Sequence, residues 1–120
     1  MRAVVLVDNC VLKAGLVAEH GWSVLVEANG RRVLLDAGQR ANVFLNNAEL
    51  LGLDLSGVDA VVLSHGHYDH AGGILQAVTR SRGKVLFVHP GAFVKRFAVE
   101  KGRPPRFVGV RWHEDDVESD

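Results

Sequence analysis

The stretch "SHGHYDHAGG" (residues 64–73) sets three histidines and one aspartate in six positions, with glycines close on either side. It follows residues 58–64, a continuous apolar run typical of a strand that is buried on both faces. Residues 72–81 come after it, and their apolar spacing predicts a helix. The sequence therefore predicts that the polar cluster lies at a strand-to-helix junction.

The four polar residues of this cluster have the spacing of metal ligands. His65 and His67 are two positions apart, so on an extended segment both point the same way and can hold one metal ion. Asp69 and His70 follow where the chain turns, and they can hold a second ion beside the first. Imidazole nitrogens and carboxylate oxygens suit zinc best, and also iron or manganese. We predict a site for up to two divalent ions, with Gly66 letting the backbone pass close to them.

The rest of the chain alternates between strands and helices. Asn29-Gly30 separates two apolar segments and favours a two-residue hairpin turn. Residues 114–120 form an acidic tail, which is typical either of a frayed end or of the first turn of a helix. Further strands are predicted at 2–7, 22–28, 31–37 and 84–89, and helices at 41–52 and 90–97.

Composition limits the class of protein. The chain has 120 residues and a formal net charge of zero, so a single domain is expected and broad attraction to nucleic acid is not. Cys10 is the only cysteine, predicted to be a small buried apolar side chain, and no internal disulfide can form. We expect a cytoplasmic protein, because no segment has the length of a signal peptide core or of a membrane span.

The cluster resembles the His-x-His-x-Asp-His hallmark of the metallo-β-lactamase superfamily. Three further segments, "AEHGWS" (18–23), "LLDAGQ" (34–39) and "HPGAF" (89–93), are similar to one branch of it. That branch contains the dihydropterin–ribofuranosylaminobenzene phosphate synthases and many metal-dependent hydrolases.

The resemblance implies an α/β fold, half of the αββα sandwich of the family, with one mixed sheet and helices on one face. Residues 1–120 would be a single truncated domain, the N-terminal half. In the family, the second half supplies another histidine for the first metal, and a bridging aspartate and a histidine for the second. No residue of this chain can be assigned to those positions. The bare face of the sheet predicts a homodimer or a complementary C-terminal-half chain as partner.

The resemblance also implies a metal-dependent hydrolase, or half of one, in which metal-bound hydroxide attacks a small ester-, lactam- or phosphate-type substrate. Asp69 would be catalytic, because it would bind the second metal and orient the hydroxide. Two alternatives stay open: a non-catalytic metal-binding subunit that needs a partner chain, and a pterin-related group-transfer synthase. Whether the chain alone is an enzyme is left undecided.

Four residues outside the cluster are candidates for the same site. By resemblance, Asp36 would support the metal loop from behind, although it could be a simple turn residue. Glu19 and His20 would lie near the metal loop, or else in an exposed polar loop. His89, at the end of a predicted strand, is a candidate ligand or substrate contact, or the cap of the helix that follows.

Overall fold

A computed structural model of the chain describes residues 1–11 and 13–118. Five strands form one mixed sheet in the order β1-β2-β3-β4-β5. The pairs β1–β2 and β2–β3 are antiparallel, whereas β3–β4 and β4–β5 are parallel. The strands are β1 (Arg2–Val7), β2 (Ser23–Ala28), β3 (Arg31–Leu35), β4 (Ala60–Val62) and β5 (Leu86–Phe87). The predicted α/β fold with a mixed sheet is therefore confirmed.

In the described part of the chain, four α-helices accompany this sheet, and two further strands form a second sheet. The helices are α1 (Ala41–Leu50), α2 (Tyr68–Ala71), α3 (Ile74–Arg80) and α4 (Asp115–Glu118), and the added strands are β6 (Phe97–Ala98) and β7 (Arg106–Phe107). No helix in residues 1–11 and 13–118 is long and apolar enough to cross a bilayer.

The turn between β2 and β3 is the predicted two-residue hairpin. Asn29 and Gly30 have φ of 54° and 76°, the left-handed values of a type I′ turn. Ala28 pairs with Arg31 across the turn, so the hairpin register follows directly from this dipeptide.

One face of the sheet carries the hydrophobic core. A single cross-strand row, paired residue by residue, runs through Val4, Leu25, Leu34, Val61 and Leu86. Helices α1 and α3 pack on this face, with Phe44 and Ile74 fully buried against it. Both helices therefore lie on the same side of the sheet.

The opposite face is also apolar, but these helices leave it uncovered. Its central row is Val5, Val24, Leu35, Val62 and Phe87. None of the five belongs to the core cluster. Val24 is 8% exposed, whereas the two at the edges, Val5 and Phe87, are 45% and 59% exposed. The neighbouring row is Ala3, Val26, Val33 and Ala60.

The prediction of a helix over 90–97 is wrong. Residues Pro90–Phe93 form a single 3-10 turn, and the chain then extends to pair as β6 with β7. The guanidinium of Arg96 donates to the carbonyls of Gly91, Ala92 and Val94 at 2.8, 3.1 and 3.0 Å. Those carbonyls would otherwise accept the hydrogen bonds that continue a helix.

Two smaller predictions can also be compared with the structure: the one for Cys10 is wrong, and the one for the acidic tail had left two alternatives open. Cys10 is exposed rather than buried, because β1 ends at Val7 and the chain leaves the sheet before reaching it. In the acidic tail, residues 115–118 form α4, and Val117 packs against the core, so this part is not frayed. Residues 119 and 120 of the predicted tail lie outside the described residues.

Candidate metal centre

The cluster lies at the carboxyl ends of two neighbouring parallel strands. Leu35 and Val62 pair across β3 and β4, Asp36 follows β3, and Ser64 comes two residues after β4. The backbone N–H of Asp36 donates to Val62 O at 2.9 Å, which extends the pairing by one residue. This edge of a parallel sheet is where α/β proteins usually carry their sites.

Asp36 is the buried anchor of the cluster. Its side chain is 1% exposed, and φ is 59°, a left-handed value that aspartate tolerates better than most residues. Oδ1 accepts from the backbone N–H of Ser64 at 2.7 Å. Oδ2 accepts from the Ser64 hydroxyl at 2.6 Å and lies 2.7 Å from Nδ1 of His70. One carboxylate thus ties the end of β3 to both ends of the histidine stretch.

These contacts set the tautomers of two histidines. A buried carboxylate only accepts, so Nδ1 of His70 carries the proton and Nε2 is left free. Since the Ser64 hydroxyl donates to Asp36, its oxygen accepts from Nδ1–H of His65, which lies 2.7 Å away. His65 therefore also has a free Nε2. Asp36 orients His70 directly and His65 through Ser64.

The imidazole of His65 lies close to those of His70 and His67. The ring centroid of His65 lies 4.2 Å from that of His70 and 4.8 Å from that of His67. Oδ2 of Asp69 is 3.8 Å from Nε2 of His70. His67 is exposed, whereas the other three residues are half-buried.

This donor set fits a divalent metal ion. One donor atom each from Asp36, His65 and His70 lies within 4.8 Å of the others. Asp36 already accepts three hydrogen bonds, so we assign it to orienting the histidines rather than to ligation. The free Nε2 atoms and the carboxylate of Asp69 are the donors that remain.

The histidine pKa values are shifted in opposite directions. Burial lowers the pKa of His65, and the neighbouring His70 and His67 lower it further, so this ring is neutral near pH 7. The hydrogen bond to Asp36 raises the pKa of His70. Because a ligating imidazole must be deprotonated, a metal ion competes with a proton at His70 as the pH falls.

Glycines allow the cluster to sit directly on the loop after β3. Ala37 N donates to His70 O at 2.9 Å, and Gly72 N donates to Gly38 O at 2.7 Å. A Cβ on Gly72 would overlap the carbonyl oxygen of Gln39. The same holds for Gly66, whose close neighbour is the carbonyl of Ala92 in the 3-10 turn.

The other sequence-predicted candidates take different places. Glu19 is buried and accepts from the backbone N–H of Gln39 and of Arg40, at 2.9 and 3.2 Å. Nε2 of His20 lies 3.0 Å from Oδ2 of Asp69, so this residue reaches the cluster. His89 caps the 3-10 turn, with Nδ1 accepting from Gly91 N at 2.9 Å.

Sequence reasoning missed Ser64 and Trp112. The only signal for Ser64 was a hydroxyl residue directly before the first histidine at a strand end. Trp112 donates from Nε1 to Ala71 O at 2.7 Å and so fastens the C-terminal segment to α2. Nothing local in the sequence around residue 112 indicates that contact.

The chain is similar to a family model and to several known proteins. The family model described as the metallo-β-lactamase superfamily matches residues 16–119. An uncharacterized protein of Methanocaldococcus jannaschii is 38% identical over 108 residues, which are 88% of this chain and 39% of that protein. The 7,8-dihydropterin-6-methyl-4-(β-D-ribofuranosyl)-aminobenzene-5'-phosphate synthase of the same organism is 36% identical over 88 residues, covering 69% of this chain and 30% of the synthase.

Among solved structures, a metal-dependent hydrolase of the β-lactamase superfamily is similar with a TM-score of 0.61 and 32% sequence identity. The match covers 96% of this chain and 38% of that one. The chain thus spans less than two fifths of the length of these three proteins.

Proposed function

The chain belongs to the metallo-β-lactamase superfamily, and from that premise we propose that it carries the N-terminal half of a metal-dependent hydrolase site. His65 and His67 would hold one divalent ion, and Asp69 and His70 a second. Zinc suits these donors best, and iron or manganese is also compatible.

One observation carries this proposal: a single buried carboxylate fixes two histidines so that their Nε2 atoms are free. Asp36 reaches His70 directly at 2.7 Å and His65 through the Ser64 hydroxyl. A carboxylate or carbonyl behind a histidine is the usual partner of a metal-binding imidazole. An ordinary polar surface loop does not require a buried carboxylate that fixes the orientation of two histidines.

The chain's own residues would hold and orient the reacting groups. A divalent cation, when bound, supplies Lewis acidity, which lowers the pKa of water and stabilises developing negative charge. The carboxylate of Asp69 would accept a hydrogen bond from the attacking water and orient it. Asp36 and Ser64 would keep the imidazoles in place while charge changes in front of them.

The substrates that we propose are small ester-, lactam- and phosphate-type molecules. The name of the synthase relative supports a pterin-related group transfer as a second candidate reaction. A catalytic zinc usually has three protein ligands, and His65 and His67 supply two. The third candidate function is therefore that of a metal-binding subunit, which turns over substrate only when a partner chain supplies the missing ligand.

The uncovered sheet face supports such a partner. One of its apolar rows runs across all five strands and the other across four, and an apolar surface of this kind usually marks an interaction site. We propose that it packs against a second copy of the chain or against a complementary C-terminal-half chain. Either partner would bury side chains such as Val62 and Phe87.

Metal uptake tests the proposed site. The double variant His65→Ala, His67→Ala should lose zinc in equilibrium dialysis with elemental analysis, because two of the four donors are gone. His113→Ala is the matched control, since this exposed histidine lies next to the acidic tail and its loss should leave uptake unchanged. Full zinc uptake by the double variant would overturn the assignment.

Turnover separates the candidate functions. We expect the zinc-loaded chain alone to show little hydrolysis of ester, thioester, lactam and phosphodiester substrates, because the further ligands are missing. Addition of a complementary second half should raise the rate. Strong hydrolysis by the chain alone, lost in Asp69→Ala, would instead mean that these residues suffice.

A further inference from the structure

The loop from Glu19 to Trp22 contacts Asp69 at two points. The backbone N–H of Trp22 donates to Asp69 O at 3.3 Å. Nε2 of His20 lies 3.0 Å from Oδ2 of the same residue. The loop therefore hydrogen-bonds the backbone of Asp69 and places an imidazole beside its carboxylate.

The residues on either side of His20 are fixed. The Glu19 side chain is 1% exposed, and it accepts from two backbone N–H groups and, at 3.1 Å, from Nε of Arg40. At Gly21 a Cβ would lie 2.7 Å from Asp69 O and 3.1 Å from Gln39 N, so no side chain fits there. The position of the His20 backbone relative to Asp69 is thus set from both sides.

The His20–Asp69 contact adds little to stability. The side chain of His20 is 75% exposed, and an exposed pair of this kind contributes about 0–1 kcal/mol. A loop built so closely around Asp69 fits a different purpose, which is to fix the direction of its carboxylate. Oδ2 of Asp69 lies between two imidazoles, 3.0 Å from Nε2 of His20 and 3.8 Å from Nε2 of His70.

We propose that His20 is a positioning residue for Asp69. Its Nε2–H would donate to the carboxylate and hold it in one rotamer beside His70. This rests on the proposed function, in which Asp69 is a metal ligand. In this role His20 acts through the carboxylate and is not itself a ligand, so its N–H and not the imidazole ring should be required.

Three substitutions at residue 20 test this role. His20→Gln keeps an N–H near the position of Nε2, His20→Asn places its N–H too close to the backbone, and His20→Ala removes it. We expect zinc affinity, measured by competition with a chromogenic chelator, to fall about tenfold in the Ala and Asn variants. The Gln variant should bind nearly as well as the wild type.

Two controls make the result specific. His113→Ala removes another exposed histidine that lies 3.3 Å from an aspartate, and it should not change zinc affinity. In an Asp69→Asn background, His20→Ala should have no further effect, because the two residues act together. Circular dichroism melts of the metal-free variants establish that each is folded.

The outcomes distinguish this inference from the proposed function. A wild-type chain that binds no zinc, or an Asp69→Asn variant that binds as well as the wild type, would overturn the metal assignment itself. Wild-type affinity in both His20→Ala and His20→Asn would overturn the positioning role alone. Failure of His20→Gln to restore affinity would also overturn it, because the ring rather than its N–H would then be required.

Discussion

At the scale of single residues, Asp36 and Ser64 explain why the histidines are usable. Asp36 collects three hydrogen bonds in a buried position, and two of them reach histidines, one directly and one through Ser64. A buried carboxylate is costly unless it is hydrogen-bonded. Asp36 meets that condition by tying together parts of the chain that are 28 and 34 residues away.

Replacement of Asp36 by Asn gives a pH-dependent prediction for the metal-free protein. The raised pKa of His70 means that the folded state binds this proton more tightly than the unfolded state. That contribution to stability is complete below the ordinary histidine pKa of about 6.5, and it is lost as the pH rises through the raised folded value. Asp36→Asn should therefore lower the unfolding free energy by about 2–3 kcal/mol near pH 5.5 and by less near pH 8.5.

Urea denaturation at both pH values measures this difference, and NMR titration should show a lower pKa for His70 in the variant. Asp59→Asn is the matched control, because Asp59 pairs with Arg82 rather than with a histidine. Its effect should be the same at both pH values. A His70 titration that is unchanged in Asp36→Asn would contradict the direction of the shift.

At the scale of elements, the close contact of α2 with the loop after β3 depends on glycine. Gly72 follows α2 with φ of −61° and ψ of −43°, values that alanine adopts readily. Backbone preference therefore does not require glycine there. The requirement comes from the Gln39 carbonyl, which leaves no room for a Cβ.

We predict that Gly72→Ala lowers the unfolding free energy by about 2–3 kcal/mol and weakens zinc binding, because the cluster must move away from the loop. Gly52→Ala is the comparison. Gly52 has a φ of 69°, and a Cβ there would meet no atom within 4 Å, so the substitution should cost only about 1 kcal/mol of backbone strain. Chemical denaturation measures both, and equal losses would contradict the steric explanation.

At the scale of the whole molecule, the uncovered sheet face determines whether the chain associates in solution. We predict that the wild type sediments and scatters light as a species heavier than 13.0 kDa, because its apolar rows associate. Phe87→Glu should shift it toward the monomer, since a charge cannot be buried cheaply in such an interface.

Phe97→Glu is the matched control for this experiment. Phe97 is 54% exposed, close to the 59% of Phe87, but it lies on β6 and not on the five-stranded sheet. It should leave the mass unchanged. A wild-type chain that stays at 13.0 kDa at high concentration would refute the association. A mass that responds equally to both substitutions would place the interface elsewhere.

The sequence by itself determined the features that depend on neighbouring residues. The Asn29-Gly30 turn, the buried apolar strands and the four spaced polar residues can all be recognised in short stretches, because local backbone preference and side-chain periodicity act over a few positions. The helix expected at 90–97 shows the limit of such local patterns. The guanidinium of Arg96 takes the carbonyls, and pairing with residues 106–107 replaces the helix.

Only the tertiary structure decided which residues serve the cluster from a distance. Asp36 meets Ser64 because β3 and β4 are parallel neighbours, and His20 meets Asp69 because the loop before β2 lies beside α2. The order of the strands and the register of the parallel pairs are set by the packing of the whole sheet, and no short stretch encodes them. The same packing assigned one apolar face to the helices and left the other open, although the strands are apolar on both faces.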